Sequence, residues 1–122
     1  MHKAGLVVAG ISGLAFLILG SFGSHGIEFP EGGRAMWAVA ERQHAVHTLA
    51  LLIVAATLTR RSRFFTVAGY GFVLGMLLFC TTVYARATGA DGGWASLAPI
   101  GGTILMLAWI CLAIGGMRAR EG

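Results

Sequence analysis

The stretch Arg34–Thr59, RAMWAVAERQHAVHTLALLIVAATLT, decides the fold, because its reading sets the number of helices that cross a bilayer. It contains no proline and is rich in Ala and Leu, so it reads as a single helix over about 35–59. Its charge-free part, from Gln43 to Thr59, falls short of the roughly 20 apolar residues that a membrane span needs. A helix starting near Ala35 is long enough, provided that it carries Glu41 and Arg42 with it. Three further charge-free stretches flank it, from Ala4 to just before Glu28, from Phe64 to Ala85 and from Gly92 to Met117. These predict helices over about 4–24, 64–87 and 95–117.

The fold class expected is therefore all-α: a polytopic membrane protein of four transmembrane helices in an up-down bundle, forming one domain over 1–122. Composition agrees. Only 11% of the 122 residues are charged and 57% are hydrophobic, where a soluble domain carries roughly 25% charged residues. So small a globule could not cover its surface with so few polar groups, which excludes a soluble enzyme, a disordered tail and a secreted disulfide module. Lys3 and the apolar run to Leu19 have the outline of a secretory signal, but Gly20-Ser21 matches a small-x-small cleavage site poorly, so the segment is expected to stay as the first helix.

Direction follows from the basic residues. Four crossings place Lys3, Arg60, Arg61, Arg63, Arg118 and Arg120 on one side. Arg34, Arg42 and Arg86 fall on the other, with Glu28, Glu31, Glu41 and Asp91. The bias predicts cytoplasmic termini and a cytoplasmic Arg60–Arg63 turn. The net charge of +4 then reflects orientation, and no nucleic-acid partner is expected. Trp37 and Trp94 lie near the predicted outer boundary, where indoles are favoured.

Lipid tails compete with Leu and Phe for apolar contacts, so the helices must associate through close packing and hydrogen bonds. Gly5, Ala9 and Gly13 make a ridge on the first helix, Gly71 and Gly75 a GxxxG step on the third, and Gly101 and Gly102 a notch in the fourth. These are the expected packing seams, inside the bundle or against another chain. The partners expected are the lipid bilayer and other membrane-protein subunits or a second copy.

Polar residues gather at one depth. Glu41, His44 and Thr48 share a face of the second helix, with His47 adjacent. His25 ends the first helix, Thr81, Thr82 and Tyr84 sit in the outer half of the third, and Ser96 and Pro99 open the fourth. Ionisable groups inside a span tend to face the bundle interior. His25, Glu41, His44, His47, Thr81 and Tyr84 thus form the candidate polar or ligand cluster. One reading is structural, with imidazoles satisfied by hydroxyls or carbonyls. Another is a metal or haem site using His25, His44 and His47. Glu41-Arg42-Gln43-His44 matches one Glu-x-x-His element of a di-iron bundle, but the second element and its further glutamates are missing.

No nucleophile elbow, phosphate loop or cysteine pair is present. Cys80 and Cys111 stand alone in apolar runs, and Met36, Met76, Met106 and Met117 are scattered. No catalytic residue and no cofactor are therefore expected. The chain reads as a non-enzymatic accessory, structural or assembly component of a larger membrane complex. The alternatives are a binding module for a metal, haem, quinone or lipid headgroup, and a small channel or transporter.

Four segments resemble the signatures of one small membrane family: Gly20–Gly26 (GSFGSHG), Ala40–Leu52 (AERQHAVHTLALL), Ala68-Gly69 leading to Gly75–Tyr84 (GMLLFCTTVY), and Ala98–Gly102 (APIGG) followed by Trp109. The family is domain of unknown function 423, related to eukaryotic transmembrane protein 256. The resemblance spans nearly the whole chain in order and spacing. It implies a four-helix protein of bacterial inner membranes, or alternatively of the mitochondrial inner membrane, with no established activity. Its polar positions fall on His25, His44, His47 and Tyr84. Gln43, where an aromatic is common, and Cys80-Thr81-Thr82, in place of small residues, depart from the pattern.

Overall fold

A computed structural model describes residues 3–58, 62–90 and 92–119. Four helices follow one another: α1 (Lys3–His25), α2 (Gly33–Ile53), α3 (Arg63–Ala87) and α4 (Leu97–Arg118). A π-helical turn, Val54–Leu58, continues α2, and a 3-10 turn, Gly93–Ser96, leads into α4. The expected all-α order is present, with bounds within two residues of those read in the sequence once the π turn is counted with α2, which as an α-helix ends at Ile53. Arg60, Arg61, Asp91 and Arg120, which entered the orientation argument, lie outside the described residues.

Local chemistry explains the ends. Ser62 caps α3 by accepting from the Phe64 amide at 3.2 Å. α3 closes in a Schellman turn: the Ala90 amide donates to Ala85 O and the Gly89 amide to Arg86 O. Gly89 sits there at φ +96°, a conformation that favours glycine. Gly32, at φ +77°, makes the matching bend before α2.

Three helices are long and apolar enough to cross a membrane: Lys3–His25, Arg63–Ala87 and Gly93–Arg118. α2 is not among them. Arg34, Glu41 and Arg42 lie in its first turns and dilute its apolar character.

Neighbouring helices run antiparallel. α3 and α4 form the tightest pair. A Cβ placed on Gly71 would stand 2.7 Å from Ala108 Cβ, and one on Gly75 2.5 Å from Leu105. One on Gly101 would stand 2.5 Å from the Phe79 backbone nitrogen. The GxxxG step and Gly101 thus form the expected seam. Gly102 does not share it. It faces the Phe79 ring at 3.7 Å, an ordinary contact. Along the other flank, Ala9 is buried and a Cβ on Gly13 would meet Thr48 Cγ2 at 4.0 Å, which turns the α1 ridge toward α2.

The core lies along the α2–α3 line, where Ala40, Ala68, Phe72 and Ala87 are fully buried. α1 packs mainly on α2 and on the π turn and touches α3 where Ser12 Oγ approaches Met76 Sδ. A cleft therefore remains between α1 and α3.

Candidate functional site

The candidate cluster forms two hydrogen-bonded groups, one on each side of α2. On the side toward α1, His44 stands between two hydroxyls. Its Nδ1 lies 3.0 Å from the Tyr84 hydroxyl and its Nε2 3.0 Å from Ser12 Oγ. Ser12 Oγ lies 2.6 Å from Thr48 Oγ1. Both hydroxyls reach Met76 Sδ, Thr48 at 3.8 Å and Ser12 at 4.0 Å. Three helices are thereby tied at one level: α1 by Ser12, α2 by His44 and Thr48, α3 by Tyr84 and Met76.

A thioether sulfur only accepts, so the hydroxyls are the donors in the two long sulfur contacts. The three shorter contacts join Tyr84, His44, Ser12 and Thr48 into one chain, which a proton on either ring nitrogen of His44 completes.

On the side toward α4, the partners of His47 fix its tautomer. The Gln43 carbonyl, 2.7 Å from Nδ1, only accepts, so Nδ1 carries the hydrogen. Trp109 Nε1 donates to Nε2 at 3.0 Å. Phe72 fills the angle between these rings, with centroids 5.7 Å from His47 and 5.0 Å from Trp109. Both ring nitrogens of His47 are thereby used, and no lone pair is left for a metal.

The remaining candidates scatter. Glu41 accepts from Trp37 Nε1 at 2.7 Å, one turn away on the same helix. Thr81 is exposed on the wall of the α1–α3 cleft. His25 is exposed at the end of α1. The three histidines do not converge. Among the described residues no group of three or more His, Cys, Asp or Glu could hold a metal ion. The Trp37 indole is buried, 4.7 Å from the Tyr84 ring and packed on Gly23. Arg34 closes this end by donating to Gly23 O at 3.4 Å and by standing over the Phe29 ring at 4.8 Å.

Sequence reasoning missed Ser12, Met76 and Trp109 as partners of the histidines. Ser12 had one legible signal, as a hydroxyl in the middle of an otherwise apolar helix. Trp109 and Met76 had none, because their partners depend on helix rotation.

Both groups can hold helices in register. The first, Ser12–His44–Tyr84, outlines a nucleophile, base and orienting group. One feature opposes that chemistry: a phenol stands where a carboxylate would stabilise an imidazolium.

A model of a family described as protein of unknown function (DUF423) matches residues 19–102. That span contains all six candidate residues but neither Ser12 nor Trp109. A UPF0382 membrane protein of Haemophilus influenzae is 31% identical, with 99% of each chain covered. The UPF0382 inner membrane protein YgdD of Escherichia coli K12 is 33% identical over 95% of this chain and 91% of its own. UPF0382 membrane protein YwdK of Bacillus subtilis is 26% identical over 95% and 98%. No solved structure matches. With three helices apolar enough to span a bilayer and relatives named as inner membrane proteins, the chain belongs to the DUF423 family of small membrane proteins of unknown function.

Proposed function

We propose that this protein crosses the membrane four times, with both termini in the cytoplasm, as a non-enzymatic component that packs against another membrane-protein subunit or a second copy. Trp37 to the end of the π turn spans about 33 Å at 1.5 Å per residue, enough for hydrocarbon. Glu41 and Arg42 then lie near the outer boundary, within reach of water by snorkelling. Antiparallel order brings Lys3, Arg63 and Arg118 to one end and Glu28, Glu31, Arg34 and Arg86 to the other. The first end carries the basic excess, and the positive-inside rule makes it cytoplasmic.

The observation that carries the non-enzymatic reading is that both bundle histidines spend both ring nitrogens within the chain. Satisfied polar groups fix register and leave no base free for chemistry. The partner reading draws on α1, of which only Ala9 and Gly23 are buried. Val7, Ile11 and Leu14 are exposed around Gly10, whose Cβ position is open. A notch of this kind lets another helix approach closely in lipid.

Native mass spectrometry after extraction into polymer-bounded lipid particles tests the assembly. A second chain or a second copy is the expected result, lost in Gly10→Ile. A lone monomer that co-purifies with no other chain contradicts the proposal.

A further inference from the structure

We infer that the groove between the end of α3 and the start of α4 seats the ester region of a diacyl phospholipid, with ester carbonyls accepting from Trp94 Nε1 and Thr82 Oγ1 and an acyl chain running along Leu77 and Leu78. The groove encloses about 280 Å³. Thr81 and Thr82 of α3, Trp94 of the 3-10 turn, and Leu77, Leu78 and Leu97 border it.

Its polar groups are unspent. A helical threonine commonly returns its hydrogen to the carbonyl one turn back, as Thr103 does to Pro99 O at 2.9 Å. Thr82 does not. Among the described residues its hydroxyl has no hydrogen-bond partner, although the side chain is only 4% exposed. No fully sealed side-chain nitrogen or oxygen among those residues lacks a partner, so the accessible remnant of Thr82 includes its oxygen, at the groove that it borders. The Trp94 indole has no partner among the described residues either. An indole N–H only donates, so the occupant must offer an acceptor.

Charge and depth select that acceptor. No charged side chain borders the groove, so a phosphate or carboxylate would sit there without a counter-charge, which is costly. The acceptor is therefore neutral. The apolar stretch able to span a membrane ends at Ala87 in α3 and begins at Gly93 ahead of α4, so the groove lies where both helices leave hydrocarbon. Thr82 stands about 8 Å inside the end of α3, at 1.5 Å per residue, and Leu77 and Leu78 about one turn deeper. The neutral acceptors of a bilayer at this boundary are ester carbonyls, each joined to an apolar chain. The two leucines give that chain its path.

The full chain in nanodiscs of equal parts diester and diether phosphatidylcholine with matched chains, read by native mass spectrometry for retained lipid, tests the inference. The two lipids differ only in the carbonyls. Retained lipid is expected to be enriched about fivefold in the diester form, the preference that one net hydrogen bond confers. The double variant Thr82→Val with Trp94→Phe is expected to bring the two forms to parity. Thr82→Ser, which keeps a hydroxyl, and Thr103→Val, whose hydroxyl is spent on Pro99, are expected to preserve the enrichment. Should Thr82→Val disturb the bundle, Trp94→Phe alone decides the matter, at a side chain 37% exposed, and enrichment must fall. Equal retention of the two lipids by the parent, the result for a groove that holds only water, overturns the inference. So does an enrichment that survives the double variant, or one that Thr103→Val removes as well.

Discussion

The α3–α4 seam can be tested by two substitutions one residue apart. A Cβ on Gly101 would lie 2.5 Å from the Phe79 nitrogen, 2.9 Å from Leu78 Cβ and 3.0 Å from Gly75 O. Two of these are backbone atoms and cannot swing aside. Non-bonded carbon contacts rest at about 3.5–4.0 Å, so Gly101→Ala must push the helices apart by roughly 1 Å. A gap of that size forfeits a quarter to a half of each affected dispersion contact along the seam. Overpacking of cores costs about 1–3 kcal/mol, and a backbone-on-backbone clash belongs in the upper half of that range. Gly102→Ala places its methyl 3.7 Å from the Phe79 ring, an ordinary contact. Its stability is expected within about 0.5 kcal/mol of the parent. Reversible unfolding in mixed micelles by SDS titration, followed by circular dichroism, measures both. Equal stabilities for the two variants would refute the seam.

Other consequences concern the polar ties and the orientation. Trp109→Phe leaves His47 Nε2 without its donor and is expected to cost about 1–2 kcal/mol in the same titration; no measurable change would detach His47 from α4. Ser12→Ala and Thr48→Val each remove one hydroxyl of a shared chain, so the double variant should lose at least about 0.5 kcal/mol less than the sum of the singles. Strict additivity would show that the two hydroxyls do not interact. In a background of Cys80→Ala and Cys111→Ala, Glu31→Cys should react with a membrane-impermeant maleimide on intact cells and Ser62→Cys only after permeabilisation. The reverse pattern would overturn the orientation.

Much of this architecture is legible in the chain, and the limit falls where physics places it. Four runs of apolar residues mark the helices, broken by Pro30, Gly32 and Gly33, by the charged Arg60–Arg63 segment, and by Gly89 and Gly92. Gly71 and Gly75, one turn apart, mark a seam for the same steric reason in sequence and in space. Helix rotation is different. α1 and α4 are apolar all round, so no amphipathic stripe says which face turns inward. The pairing of Ser12 with His44 and of Trp109 with His47 therefore cannot be read from the sequence. The shared depth of His44 and Tyr84 was legible from counting residues, but their 3.0 Å contact needed the rotation as well. His25 shows the converse. It fits a ligand pattern by residue type and ends exposed, because α1 passes His44 at Ser12 and carries His25 well beyond that level, to its far end.

Nitrogen-15 solid-state NMR of the full chain in bilayers, with its histidines assigned by single replacement, tests most directly the claim that its buried polar groups tie the helices together. The account predicts neutral imidazoles at His44 and His47, with hydrogen on Nδ1 of His47. A charged imidazolium at either site, or hydrogen on Nε2 of His47, would contradict it.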